Sequence, residues 1–494
     1  MKLRVLIGGA CVALAASHSA LAYQPDVTTP DLVVLIGGSS ASENAVLAEI
    51  KQNMCIGNTD TFDGTGQKAI FCDMNATSVS GLSGKLAVLV RKNSTGSGAG
   101  VRPVCENPNG GTAAFAIFTT QGANANCQNL GGGNWSCPGN TGKTVTTENL
   151  IPQIGISDVK PTELFASSSA GCGTNVFPSY EMVMNTPVSL QLRNALQEVE
   201  GLTVGAEDEA NMPTLSTEVV AAIMTGRLHT WDDVKIKNVG LATQVGATSA
   251  NGYGVTGVGG NNARITICRR TDSSGTFATQ NLRILQSNCV AGALSAQASN
   301  SSLTDAAGPV VPAGLGSSDA MEQCLHSYSQ TANWTTGGVS RNGSRWAIGH
   351  NSLDRNPTTS IAGQTDWRYI KLDGAAPTFE NVANGSYKMS VTSTIQWLSL
   401  SGDTLAIANA LKADMSQPAL LGLASQTQSF GHSGAMALAE KGYNVVYDGA
   451  GLYDNTQPVT PFSHNLGNGL NNCLDPAMPS TVKAIPLQFQ PFGF

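Results

Sequence analysis

Short apolar runs alternate with amphipathic helical segments along most of this chain, and that alternation restricts it to an α/β architecture. Leu32 to Ile36 reads as a buried strand that ends at Gly37-Gly38. A helix follows, with Ser40 and Glu43 spaced as a capping box and Val46, Leu47 and Ile50 on one face. Leu86 to Val90 reads as a second buried strand, closed by Asn93-Ser94-Thr95-Gly96-Ser97-Gly98. Val219 to Met224 has helical phasing, with Gly226 placed to end the helix. Ile265 to Cys268 is a third strand, and beyond a polar turn a helix starts near Phe277 with Ala278, Leu282 and Leu285 on one side. Residues 107–147, 240–262 and 291–343 are rich in Gly, Ser and Asn and read as loop insertions.

The start of the chain reads as a secretory signal. Lys2 and Arg4 precede an apolar stretch from Val5 to Ala16, and Ala20-Leu21-Ala22 has the small-x-small form of a cleavage site, so the mature protein is expected to begin at Tyr23. Gly8-Gly9-Ala10 before Cys11 is a poor lipobox, which argues against a lipid anchor. No later segment approaches the roughly 18 apolar residues that span a bilayer, so no membrane insertion is expected. The location implied is the periplasm or the extracellular space. About 470 residues then remain, enough for two to three domains.

Without Cys11, ten of the eleven cysteines are left, none spaced as a C-x-x-C pair. In an exported chain these read as structural disulfides rather than metal ligands. The short-range pairings Cys55–Cys72, Cys127–Cys137 and Cys289–Cys324 would staple long loops. Of the 27 basic residues, 25 remain after Lys2 and Arg4 are removed, against 34 acidic ones, a net charge of −9. That excess argues against nucleic acid or an anionic membrane as partner. It leaves a small anion open, because small anions are held by local dipoles.

Arg269-Arg270-Thr271-Asp272-Ser273-Ser274-Gly275-Thr276 is the segment with the clearest chemistry. A strand delivers it and a helix starts within it, and the unpaired N–H groups of a helix start bind oxyanions. Gly275 lets the backbone approach closely, and the hydroxyls of Ser274 and Thr276 add donors. An Arg offers a planar fork matched to two oxygens, and Asp272 could hold that guanidinium. An ordinary capped helix beside a surface Arg would carry the same residues.

The segment resembles the R-x-D-G/S-S-G-T signature of the periplasmic phosphate-binding proteins of ABC transporters. Further pieces resemble that family in its own order. They are Ile36-Gly37-Gly38-Ser39-Ser40-Ala41-Ser42, Gly96-Ser97-Gly98-Ala99-Gly100-Val101, Ile154-Gly155-Ile156-Ser157-Asp158, and the helix end from Ala222 through Trp231-Asp232-Asp233. Trp346-Ala347-Ile348-Gly349 and Val391-Thr392-Ser393-Thr394 complete the series. The resemblance implies a two-lobed type II periplasmic binding protein fold with the ligand cleft between lobes. Residues 23–187 plus 389–494 would form lobe one and residues 188–388 lobe two, with crossings near Pro187-Val188 and Lys388-Met389. Carried over by position, the ligand contacts fall on Ser40, Ala41, Ser42, Ser97, Asp158, Arg270, Ser274, Gly275 and Thr276. Asp272 would support Arg270.

The ligand so implied is inorganic phosphate, delivered to an ABC transporter permease by a monomeric binding protein with no cofactor, no metal and no catalytic residue. Asp158 fits a protonated anion, since a carboxylate repels fully ionised sulfate and accepts a proton from phosphate. The family usually has Thr where this chain has Ala41, and the chain is longer and richer in cysteine than the usual member. A secreted or surface binding protein with a non-transport role, and a phosphatase-like enzyme, are the alternatives on the same fold.

Other motifs carry less. Gly431-His432-Ser433-Gly434-Ala435 departs from a nucleophile elbow at its last position and follows no buried strand. Gly142-Lys143-Thr144 ends like a phosphate loop, but Cys137 stands where the first Gly belongs. His229, His326, His350, His432 and His464 are dispersed, and Trp231 reads as a core anchor.

Overall fold

The computed structural model describes residues 23–482 except 65, 76, 80–81, 83–86, 108, 138–144, 166–171, 247–263, 288, 300–308, 313, 330–333, 337–338, 342–345, 360–362 and 449. The signal segment, Leu86 and Gly142-Lys143-Thr144 lie outside the described residues. The α/β architecture expected from the alternation of strands and helices is present, built on two main sheets.

Along the first part of the chain run β1 (Leu32–Gly38), α1 (Glu43–Glu49), β2 (Cys55–Gly64), β3 (Gln67–Met74), β4 (Val88–Asn93) and α2 (Gly98–Cys105). Then come β5 (Ala113–Ile117), β6 (Gln128–Gly131), β7 (Asn134–Ser136), β8 (Thr146–Leu150), β9 (Ile154–Ser157), β10 (Val176–Asn185) and β11 (Val188–Ser189). The second part contributes α3 (Thr217–Met224), β12 (Thr266–Cys268), α4 (Gly275–Arg283), α5 (Ser318–Ser329), β13 (Ala347–Gly349), β14 (Asn351–Ser352) and β15 (Trp367–Arg368). The last part adds β16 (Ser390–Gln396), β17 (Ala435–Leu438) and β18 (Val459–Thr460).

The large sheet has twelve strands in the order β18-β17-β10-β16-β9-β1-β4-β3-β2-β7-β6, with β14 pairing β10 off that path. Its centre is parallel, β1 lying between β4 and β9; β3 and β16 pair antiparallel on either side, and β2–β7 and β17–β18 are parallel again towards the edges. The small sheet runs β12-β13-β11-β15. Consecutive strands β10 and β11 belong to different sheets, so the chain changes sheet at Thr186-Pro187. By β16 it is back in the large sheet beside β10. Both sheets contribute to one main core, in which Trp231 is fully buried against Trp346. Gly226 ends α3 with a φ of +69°, as its position suggested.

The first insertion is not a loop. Residues 107–147 supply β5, which pairs with β8, and β6 and β7, which extend the large sheet beyond β2. This extension has its own small core, in which Phe62 stacks on Phe118 and Trp135. Polar composition hid these strands because little of them is covered: β6 is exposed throughout and β7 buries only Trp135.

Five disulfides join the ten cysteines. Cys55–Cys72 and Cys127–Cys137 are two of the three short pairings expected. The third is corrected: Cys324 bonds to Cys268 and Cys289 to Cys473, and Cys105–Cys172 completes the set. Cys268 ends β12 and Cys324 sits on α5, which packs on that sheet, so spatial adjacency overrides sequence spacing. Among the described residues no helix is long and apolar enough to cross a membrane.

Candidate functional site

Loops of the large sheet and a helix start beside the small sheet meet at one point. β1 ends in Gly38, whose φ of +132° and close approach to the Ile156 carbonyl exclude a side chain. The tight turn delivers Ser39, whose hydroxyl donates to Asp158 Oδ1. Asp158 follows β9, and its backbone N–H donates to Ser97 Oγ at 3.0 Å. Ser97 in turn precedes α2.

From the small sheet, β12 leads into Arg270, and α4 begins at Gly275 with Ser274 as its N-cap. The Ser274 hydroxyl accepts from the Phe277 N–H at 3.3 Å. Gly275 lies so close to Ser97 Oγ and Asp158 Oδ2 that a Cβ would overlap both. The Gly98 N–H donates to the Ser273 carbonyl at 2.9 Å, tying the two sides together again. Ser97, Asp158, Ser274, Gly275 and Thr276 are therefore buried in one place, although far apart in sequence.

Three ionisable groups buried here influence one another. Burial raises the Asp158 carboxyl above the usual carboxylate range, opposed by the Ser39 hydroxyl, the Arg270 charge, Ser97 and Lys92. Arg270 is buried and lowered to about 10 by that burial, which the nearby Asp158 partly offsets. Its Nε donates to the Leu315 carbonyl at 3.1 Å and its Nη1 to Ser318 Oγ at 3.2 Å. Lys92, on β4, is lowered to about 8 by burial, with Glu43 and Asp158 acting against the fall. Its Nζ donates to the carbonyls of Ser39 and Asn93 and to Ser94 Oγ, at 2.9 to 3.2 Å. Two cations, one carboxyl and a helix start thus converge where water is excluded.

Two expected contacts are corrected. Asp272 is exposed and pairs with Arg269, not Arg270, and the Arg269 guanidinium also lies 4.2 Å from the centre of the Phe277 ring. Successive residues of an extended segment point to opposite sides, so only one arginine can face the interior. Nor does Ser40 form a capping box with Glu43, because Ser42 is the N-cap of α1 and no side chain caps it. Glu43 instead pairs with Lys68 at 3.3 Å.

In the first loop, Ser39 is the residue that reaches Asp158. Ser42 donates its hydroxyl back to the Ser39 carbonyl at 2.9 Å, Ala41 packs in the core, and Ser40 lines an open cleft. Sequence reasoning also missed Lys92. Its signal was its phase, two and four residues beyond Val90 and Val88 on the inward face of a buried strand. His350, just after β13, is buried with neither ring nitrogen bonded among the described residues. Burial, and then the Arg270 charge, lower it to about 3, so it is neutral. Among the described residues no group of His, Cys, Asp and Glu could hold a metal.

Residues 200–401, which include Arg270 and the start of α4, match the family model of the PBP superfamily domain. Among solved structures, the chain is similar to a protein described as a phosphate ABC transporter substrate-binding protein with bound phosphate from Clostridium perfringens. The identity is 14%, covering 79% of this chain and 97% of that one, with a TM-score of 0.40. It is also similar to an ABC-type phosphate transport receptor from Vibrio cholerae, at 14% identity over 77% and 94% of the two chains and a TM-score of 0.36. For PstS from Borrelia burgdorferi the figures are 11%, 80%, 97% and 0.32. No match was found among curated proteins.

Proposed function

We propose that this chain is an extracytoplasmic solute-binding protein that holds phosphate between two lobes and passes it to an ABC importer, without catalysing a reaction. The observation that carries this reading is the meeting of Asp158 with Gly275 and Ser97 beside the buried Arg270. In this reading the lobes are residues 23–187 plus 389–494 and residues 188–388. The N–H groups at the start of α4, the Arg270 fork and the hydroxyls of Ser97, Ser274 and Thr276 are the donors. Charge-assisted hydrogen bonds of this kind contribute roughly 1.5–3 kcal/mol each. Ser40 to Ser42 contribute through the turn that sets Ser39. Asp158 takes the proton of hydrogen phosphate, and sulfate, which brings no proton, is refused.

The match to a PBP superfamily domain supports the binding role, and the five disulfides support a location outside the cytoplasm. Calorimetric titration of the mature protein at neutral pH tests the reading. Phosphate and arsenate should bind with one-to-one stoichiometry, and sulfate should give no heat of binding. A protein that binds none of the three would overturn it.

A further inference from the structure

A cleft of about 830 Å³ lies beside the buried charges of the site, although Arg270, Lys92 and Asp158 are not among its lining residues. Two contacts connect them. Ser318, which accepts from Arg270 Nη1, lines the cleft, and so does Ser94, which accepts from Lys92 Nζ. Water takes about 30 Å³ per molecule in the liquid, so a five-atom oxyanion fills only a small part of this space. The volume falls within the roughly 300–1,000 Å³ of small-molecule sites. Two of the insertions build its walls. Ser136 and Cys137 come from residues 107–147, and Gly316 to Asp319 come from residues 291–343.

Away from the anion end, the lining carries the opposite preference. On one wall Glu43 and Asp63 flank Lys68, at 3.3 and 2.8 Å. On the other, Asp319 pairs with Arg355, and Asp354 lies beside it. Four lining carboxylates face two lining cations, an excess of two negative charges that would repel a second anionic group and attract a cationic one. Asp319 follows Ser318 directly, and consecutive Cα atoms are about 3.8 Å apart. The Asp319 carboxylate is also near enough to act on the Arg270 charge, so the acidic wall begins next to the anion end.

Resting on the phosphoryl site of the preceding section, we infer that the ligand this cleft is shaped for is a phosphate monoester whose short substituent ends in an ammonium group. The phosphoryl sits against Arg270, Ser97 and Asp158, and the ammonium against the acids of the cleft walls. The monoanionic form of the monoester brings the proton that Asp158 accepts, as hydrogen phosphate does.

Titration calorimetry with inorganic phosphate, phosphoethanolamine and glycerol 3-phosphate tests this. Phosphoethanolamine should displace phosphate and bind about tenfold more tightly than glycerol 3-phosphate, which has the same phosphoryl and an uncharged tail. The double variant Asp63→Asn with Asp319→Asn should erase that difference. Asp63→Asn alone, at an exposed side chain, should reduce it and guards against misfolding of the pair. If phosphate binds but phosphoethanolamine does not displace it, or binds no better than glycerol 3-phosphate, the inference falls and the phosphate reading stands. A preference that survives in both variants also overturns it. If none of the three ligands binds, the phosphoryl site itself is wrong.

Discussion

The two halves of the site hold their charges in different ways. The small-sheet half presents Arg270, anchored by the Leu315 carbonyl and Ser318, together with the start of α4. Its charge stays fixed across the physiological range even with the pKa lowered to about 10. The large-sheet half presents Asp158 and Lys92, two groups that burial pushes toward their neutral forms. Affinity should therefore come mainly from the first half, and selectivity and pH dependence from the second.

Removing Arg270 breaks this division most severely. Arg270→Ala leaves Asp158 facing the site with less compensation, and loss of one partner of a buried charge pair costs about 2–5 kcal/mol. Phosphate affinity should fall by a hundredfold or more in calorimetry. Arg270→Lys should recover only part, because it lacks the planar fork. Binding within about threefold of wild type would mean that Arg270 does not touch the anion.

Asp158 is the next test. Asp158→Asn removes the repulsion and adds a donor, so sulfate should gain about tenfold or more relative to phosphate. In the wild type the same logic gives a pH effect with a definite sign. Sulfate needs Asp158 protonated, so its affinity should rise as pH falls through the raised Asp158 pKa. Flat sulfate binding across acidic pH, measured by competition with phosphate, would remove Asp158 from the site.

Lys92 sharpens the contrast further. Its pKa of about 8 in the free protein should rise when an anion arrives, so the bound form holds the proton more tightly. Anion affinity is then fully expressed below pH 8 and declines above it, by at most about tenfold per pH unit. Lys92→Met should bind more weakly at pH 7 and lose that decline. A parallel pH profile for the two proteins would count against it.

The smallest effect belongs to Asp272. It is exposed and paired to Arg269, and such surface pairs contribute about 0–1 kcal/mol. Asp272→Ala should leave phosphate affinity within about threefold of wild type. A larger loss would mean that Asp272 steadies Arg270 after all.

Local chemistry made much of this readable from the residues. Gly38 and Gly275 lie where backbone must come within contact distance of another loop, and a missing side chain announces such places. The strand-to-helix passage around Ser274 announced itself through its cap. What stayed hidden depends on distant parts of the chain. Whether Arg269 or Arg270 turns inward is decided by the phase of β12. Cys289 and Cys473 are 184 residues apart, and no local pattern joins them. The strands of residues 107–147 were hidden because their apolar residues serve one small core of their own.

That distant disulfide has a mechanical consequence. Cys289 lies beyond α4, and Cys473 adjoins Asn472, whose side chain accepts from the Thr392 N–H on β16 at 2.8 Å. Alongside it, Arg283 at the end of α4 donates to the carbonyls of Asn472, Leu474 and Lys388 and pairs with Asp475 at 2.8 Å. The tie therefore runs between the two sheets, close to where the chain re-enters β16. This covalent tie holds the two sheets together at that point. A cross-link between residues 184 positions apart also removes many arrangements from the unfolded chain, so less entropy is lost when the two sheets come together.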